Sequence, residues 1–125
     1  MDSEYRPLTA EEHQLLAWLL GHEAVGSAEL VAQLNDIRVR KGCSCGCPGI
    51  EFDAPLHFRD YSPTVMEIYC DGWSEGEQVN LRLTLSELEV SAVEGFDHPF
   101  GLPPLSSLRI PSCRKQHPGS LEGPV

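Results

Sequence analysis

Strict alternation of apolar and polar residues between positions 79 and 85 is the feature that most constrains this fold. In the stretch VNLRLTL every second residue is apolar: Val79, Leu81, Leu83 and Leu85. Successive side chains of a β-strand point to opposite faces, so this pattern predicts a strand with one buried and one solvated face. Such strands are typical of antiparallel sheets, which commonly expose one face to water.

Further segments with the same period indicate more strands. They are residues 37–40, 49–52, 64–70 and 88–93. The sequence leaves open whether Ser86 and Glu87 form a hairpin turn or the middle of one long strand, because the usual Asn-Gly signal is missing. We expect a mostly antiparallel sheet of about four to five strands.

Two helices are predicted before the strands. In LTAEEHQLLAWLLG, Thr9 is the expected N-cap, Glu12 completes a capping box, and Gly21 is expected to end the helix in the left-handed conformation. A second helix is expected to begin near Ser27 and to end at Asn35 and Asp36. Their apolar stripes are Leu15, Leu16, Leu19, Leu20, Leu30, Val31 and Leu34.

A chain of 125 residues is long enough for one core but too short for two domains. Helices followed by strands predict an α+β domain with the helices on one face of the sheet. We expect the domain to span residues 1–114, and residues 115–125 to be a disordered tail. An extended C-terminal segment is expected to pack four apolar residues across the domain: Phe100, Leu102, Leu105 and Leu108.

The formal net charge is −10, and the carboxylates are unevenly spread. Residues 1–36 and 71–97 each carry seven acids and one base. Such a surface repels nucleic acid and anionic membranes, which are both polyanions, and attracts a basic protein partner. The carboxylates that we expect to face such a partner are Glu75, Glu77, Glu87, Glu89, Glu94 and Asp97.

The N-terminus MDSEYRPLTAEEH lacks both the basic region and the apolar region of a secretory signal. No run approaches the roughly 18 apolar residues of a membrane span. We therefore expect a cytoplasmic protein. In that compartment an odd number of cysteines, five in all, argues against a disulfide framework.

Three of these cysteines, Cys43, Cys45 and Cys47, alternate with small residues in the stretch KGCSCGCPGIEF. The interpretation that we favour is a glycine-braced turn with structural cysteines and no cofactor. The first alternative is a structural zinc site that combines the three thiolates with His57, although Cys70 or Cys113 could also supply the fourth ligand. The second alternative is a redox or nucleophilic thiol, activated by the basic residues that precede the motif.

Signatures of the common enzyme classes are missing from the sequence. There is no phosphate-binding glycine loop with lysine, no dinucleotide fingerprint, no His-Glu-x-x-His motif and no nucleophile elbow. We therefore predict no catalytic residues and no enzymatic activity.

Several stretches carry a resemblance to a known family. They are RPLTAEEHQLLAWLL at 6–20, CSCGCPGIEF at 43–52, LSELEV at 85–90 and GLPPLSSL at 101–108. Together they resemble a family of small bacterial proteins without an assigned activity, over roughly residues 6–110. Because its size and acidity are similar to those of bacterial immunity proteins, we predict a non-enzymatic interaction protein, such as an inhibitor of a basic toxin.

Overall fold

The computed structural model describes residues 5–22, 28–42, 48–57, 65–93 and 100–116. In these parts of the chain the helices are α1 (Ala10–Gly21) and α2 (Ala28–Gln33), and a short 3₁₀ helix spans Leu105–Ser107. The strands are β1 (Arg6–Pro7), β2 (Arg38–Lys41), β3 (Ile50–Phe52), β4 (Val65–Ser74), β5 (Glu77–Thr84), β6 (Glu87–Ala92) and β7 (Ser112–Gln116). No helix among the described residues is long and apolar enough to cross a membrane.

The strands of the described residues form one sheet in the order β1-β2-β3-β6-β5-β4-β7, and every neighbouring pair is antiparallel. The α+β prediction is confirmed, but the sheet has seven strands instead of four to five. The two unpredicted strands are the edges. Pro7 lies in β1, and β7 has the polar sequence SCRKQ, so neither shows the alternation of a half-buried strand.

One face of the sheet, which we call the inner face, is covered by the helices. Its buried residues are Val39, Ile50, Phe52, Met66, Ile68, Cys70, Val79, Leu81, Leu83, Leu88 and Val90. They form a single cluster with Leu15, Leu16, Leu19 and Leu20 of α1, Leu30 of α2 and Leu34. The alternation in β5 therefore predicted the correct face, except that Leu85 is half-buried and lies beyond the strand.

The predicted start of α1 and its end at Gly21 are confirmed, whereas the left-handed conformation expected of Gly21 is wrong. The Thr9 hydroxyl accepts a hydrogen bond from the Glu12 amide, and the Glu12 carboxylate accepts one from the Thr9 amide. Gly21 is the last helical residue, and the C-cap residue His22 is extended, with a φ of −66° and a ψ of 147°. A left-handed residue is not needed here because the chain leaves the helix in an extended direction, with the His22 ring 5.6 Å from that of Trp18. Ser27, the expected cap of α2, lies outside the described residues.

Ser86 and Glu87 belong to a hairpin rather than to one long strand. Leu83 of β5 lies opposite Leu88 of β6, so the chain reverses between them. The Thr84 hydroxyl accepts hydrogen bonds from the amides of Ser86 and Glu87, both at 3.2 Å. This side-chain turn replaces the Asn-Gly signal that the sequence lacks.

The segment between residues 100 and 111 covers the inner face near the end of β4. Gly72 allows the close approach, because a Cβ atom there would lie 2.7 Å from Leu108 Cδ2. Phe100, Leu102 and Leu108 pack against the core as expected, but Leu105 is 38% exposed in the 3₁₀ helix and does not. The chain then continues as β7 to Gln116, two residues beyond the expected domain boundary at 114.

Candidate interaction surface

The second face of the sheet, which we call the outer face, carries no buried residue in the part of the chain that the structure describes. Residues of this face alternate with the core residues on each strand, and most of them are polar, whereas Tyr69 and Trp73 of β4 are aromatic. Both helices contribute their buried leucines to the inner face. The outer face is therefore a regular surface that no described element covers.

Charges on the outer face are arranged by strand. The carboxylates of the central strands β3, β6, β5 and β4 are Glu51, Glu67, Asp71, Glu87 and Glu89, and their one cation is Arg82. The flanking strands carry arginines on this face: Arg38 and Arg40 on β2 and Arg114 on β7. Within the described residues the outer face thus has an acidic centre between two basic margins.

Arg82 neutralises part of the acidic centre. Its guanidinium donates to Glu67 at 2.8 Å and to Glu89 at 3.3 Å, and Tyr69 Oη donates to the other oxygen of Glu67 at 3.1 Å. The hydrogen bond from Arg82, followed by that from Tyr69, lowers the pKa of Glu67 below its ordinary value. The hydrogen bond to Glu67 in turn raises the pKa of Arg82. These groups therefore stay charged at neutral pH.

Glu51 and Glu87 are the two outer-face carboxylates that Arg82 does not contact. They lie directly opposite each other on β3 and β6. Glu51 is paired with Arg40 at 3.0 Å, and Arg40 also lies over the Tyr5 ring, 4.9 Å from its centroid. The Glu87 carboxylate makes no ion pair with any residue that the structure describes. Like charges directly opposite on neighbouring strands destabilise a sheet.

Aromatic and apolar side chains border the acidic centre on the β4 side. Tyr69 is 39% exposed, and the half-buried Trp73 ring lies 4.9 Å below the guanidinium of Arg109. Ile110, which follows Arg109 in the chain, is 81% exposed. Tyrosine, tryptophan and arginine are enriched at the centres of protein interfaces, so this border adds contact area to the charged face.

The carboxylates predicted from the sequence are only partly brought together. Glu87 and Glu89 lie on the outer face, at the end of β6 next to β3. Glu75 and Glu77 lie at the β4–β5 turn, and Glu77 is five residues along β5 from Arg82, the residue opposite Glu89, which corresponds to about 17 Å. Glu75 is held there, since its carboxylate accepts a hydrogen bond from the Gly101 amide. The remaining two, Glu94 and Asp97, lie outside the described residues.

Residues that the alternation alone could have assigned to this face are Glu51, Glu67, Asp71 and Arg82, because each alternates with core residues of its strand. The alternation of β5 predicts the outward direction of Arg82, whereas Glu51 and Glu67 were not among the predicted interaction residues because they lie outside the two acidic segments. The opposition of Glu51 and Glu87 could not be foreseen, since it depends on β3 pairing with β6.

Residues proposed for a zinc site are not brought together where the structure describes them. Cys43, Cys45 and Cys47 lie outside the described residues. His57 follows the end of β3 that is opposite to this loop, and Gln33 of α2 holds its backbone through two hydrogen bonds, of 2.7 and 3.0 Å. Cys70 on β4 and Cys113 on β7 are three and four strand positions away from β3, about 14 and 19 Å.

Cys70 has the features of a structural thiol. It is buried, and its Sγ donates to the carbonyl of Arg109 at 3.1 Å. Burial raises the pKa of the Cys70 thiol, and a hydrogen bond with the backbone of Arg109 offsets only part of this effect. Cys113 is half-buried and belongs to the same core, and neither cysteine is in a disulfide. A neutral buried thiol is a weak nucleophile and a poor metal ligand.

One cleft of about 400 Å³ lies beside α2. It is lined by Glu29, Ala32, Gln33, Asp36 and His57. The Gln33 amide is fully engaged by the backbone of Glu29 and His57, so it shapes the floor of the cleft instead of offering a free polar group. Among the described residues, no group of three or more His, Cys, Asp and Glu side chains is arranged to hold a metal ion.

Comparison of the chain with models of protein families, with curated proteins and with solved structures finds no match. The resemblance seen in the sequence motifs therefore stays a prediction, and the function has to be argued from the surface itself.

Proposed function

We propose that this protein is a non-enzymatic interaction protein that binds a basic protein partner through the outer face of its sheet. The observation that carries the proposal is the composition of that face. An acidic centre with five carboxylates and one arginine is bordered by exposed or half-buried aromatic side chains, and no described element covers it.

The charge pattern supports a protein partner rather than a polyanion. A net charge of −10 repels nucleic acids, and on the outer face the carboxylates occupy the middle, where a ligand would make most of its contacts. Complementary charges on a partner would speed the encounter and fix the orientation of the complex. The aromatic border would then contribute desolvated contact area.

A basic toxin, such as a nuclease, is a partner class with this chemistry. Carboxylates of the outer face would meet lysine and arginine side chains in the toxin's substrate site and occlude its phosphate pocket. Since these contacts are electrostatic and exposed, the association rate should fall as the salt concentration rises.

The experiment compares two double variants that change the net charge equally. One, Tyr69→Ser with Glu89→Gln, alters the outer face. The other, Ala32→Ser with Asp36→Asn, alters exposed positions on the helical side. Each protein is immobilised, and proteins captured from a lysate of the source organism are quantified by mass spectrometry at low salt and at about 0.5 M salt, where the Debye length is about 4 Å.

The proposal predicts a set of basic proteins that the unmodified protein and the helical-side variant retain equally and that the outer-face variant loses. High salt should release this set. Equal capture by both variants, or capture that does not depend on salt, would contradict the proposal.

A further inference from the structure

The edge of β4 near its C-terminal end is covered by a segment without strand structure. The pairing of β7 with β4 stops halfway along β4. Beyond that point the Asp71 carbonyl accepts a hydrogen bond of 3.0 Å from the Arg109 amide. The Trp73 amide donates one of 3.1 Å to the Ser107 hydroxyl. Residues 100–109, which we call the strap, therefore take the place of a neighbouring strand along this part of the edge.

Few interactions hold the strap. Pro103 is its only buried residue, and the residues that pack against the core while partly buried are Phe100, Leu102 and Leu108. Only one backbone hydrogen bond joins the strap to β4, and every other bond between the two involves a side chain. Segments with few buried apolar contacts open more readily than the core of a domain.

Glu75 holds the start of the strap from a backbone conformation that glutamate rarely adopts. Its φ of 54° lies in the left-handed region, where glycine, asparagine and aspartate are the usual residues of a two-residue hairpin turn. The Glu75 carboxylate accepts a hydrogen bond of 3.3 Å from the Gly101 amide. The buried Ser74 hydroxyl donates one of 2.8 Å to the Gly101 carbonyl. An unfavourable φ at a residue with such a contact points to a role of that residue beyond the turn itself.

We infer that the strap opens as a unit while the sheet stays folded, and that Glu75 is the latch that holds it closed. Opening would uncover the apolar surface around Gly72 and the unpaired edge of β4, which is the kind of edge that another extended segment can join. It would also remove the Arg109 guanidinium from the Trp73 ring, 4.9 Å away, and so change the border of the outer face. The inference does not depend on the proposed function.

The test is amide hydrogen exchange of the whole protein, followed in ¹⁵N–¹H spectra at several urea concentrations below the unfolding transition. The strap reporters are the amides of Trp73, Leu108 and Arg109, whose hydrogen bonds all break when the strap opens. The reporters of global unfolding are the amides of Leu81 and Leu83 on β5, which are at most 1% exposed and lie in a strand that is paired on both sides.

The inference predicts that the strap reporters share one degree of protection and exchange at least about tenfold faster than the β5 reporters. Their exchange should depend little on urea, because a local opening exposes little surface. Glu75→Asn keeps a residue suited to the turn but shortens the side chain by one methylene group, so it should speed strap exchange at least about threefold without speeding that of β5. The control Glu77→Gln removes one charge next to the same turn but no contact with the strap, and it should leave strap exchange unchanged.

Strap reporters with the rates and urea dependence of the β5 reporters would overturn the inference, since the strap would then open only when the domain unfolds. Strap exchange that Glu75→Asn leaves unchanged, or that Glu77→Gln accelerates equally, would also overturn it, because the latch would not lie at Glu75. Equal acceleration of the strap and β5 reporters by Glu75→Asn would do the same.

Discussion

Removing the Glu12 side chain should weaken the junction between β1 and α1. Glu12 is only 7% exposed, and its carboxylate accepts two hydrogen bonds of 2.8 Å from Arg6 and one of 2.9 Å from the Thr9 amide. Glu12→Ala removes all three. Losing half of a capping box costs about 1 kcal/mol, and losing a partly exposed ion pair costs up to about 1 kcal/mol more.

The free energy of unfolding should therefore fall by about 2 kcal/mol at neutral pH. For a chain of this length that loss corresponds to a decrease of about 7 °C in the unfolding temperature. Urea denaturation and thermal unfolding, both followed by circular dichroism, measure the two quantities. Glu12→Gln, which keeps an oxygen acceptor for the Thr9 amide, should lose about half as much.

The pH dependence provides a second check. Burial alone would raise the pKa of Glu12, but the hydrogen bonds from Arg6 and Thr9, together with the charge of Arg6, lower it overall. Since the folded protein has the lower pKa, the stabilisation is present above the unfolded-state pKa of about 4.3 and is lost as the pH falls through the folded value. The difference between the unmodified protein and Glu12→Gln should shrink over that range.

Two results would contradict a stabilising role of the Glu12 carboxylate. The first is a Glu12→Ala variant whose free energy of unfolding lies within about 0.3 kcal/mol of that of the unmodified protein. The second is a double-mutant cycle with Arg6→Met that shows no coupling, because residues in direct contact should couple by about 0.5 kcal/mol or more.

Two further predictions concern the C-terminal segment and the core. Gly72→Ala should lower the free energy of unfolding by about 1–3 kcal/mol, because the added Cβ would lie 2.7 Å from Leu108 Cδ2. The control Gly101→Ala, where no atom lies within 4 Å of the added Cβ, should change it by less than about 0.5 kcal/mol. Denaturant titration measures both variants, and equal losses of stability would contradict the prediction. At neutral pH, Cys70 of the folded protein should react with iodoacetamide far more slowly than Cys70 of the urea-unfolded protein, because the folded thiol is buried and its pKa is raised. Peptide mass mapping measures the labelling rate, and fast labelling of Cys70 in the folded protein would contradict the prediction.

Local patterns predicted the individual elements well. Alternation of residues located the strands β2 to β6 and the buried face of β5, and the Thr9 and Glu12 pair predicted the start of α1. The end of α1 at Gly21 was also predicted, but its left-handed conformation was not found, because the chain continues extended at His22.

What the sequence could not predict were the contacts between distant segments. β3 pairs with β6 and β4 pairs with β7, although other strands lie between them along the chain. The strand β7 has no apolar alternation because it forms an edge of the sheet, where pairing on one side is sufficient. The candidate site depends on these long-range pairings, because the opposition of Glu51 and Glu87 exists only in this register.

Carboxyl footprinting of the complex locates the surface by which this protein binds its partner. The protein, alone and with a basic partner obtained by the capture experiment, is labelled with a carbodiimide and glycinamide, and the modification of each Asp and Glu is quantified by peptide mass spectrometry. We predict that the partner protects Glu51, Glu87 and Glu89 on the outer face and leaves Glu11 and Asp36 labelled as in the free protein. Protection of the second set without the first would contradict binding through the outer face of the sheet.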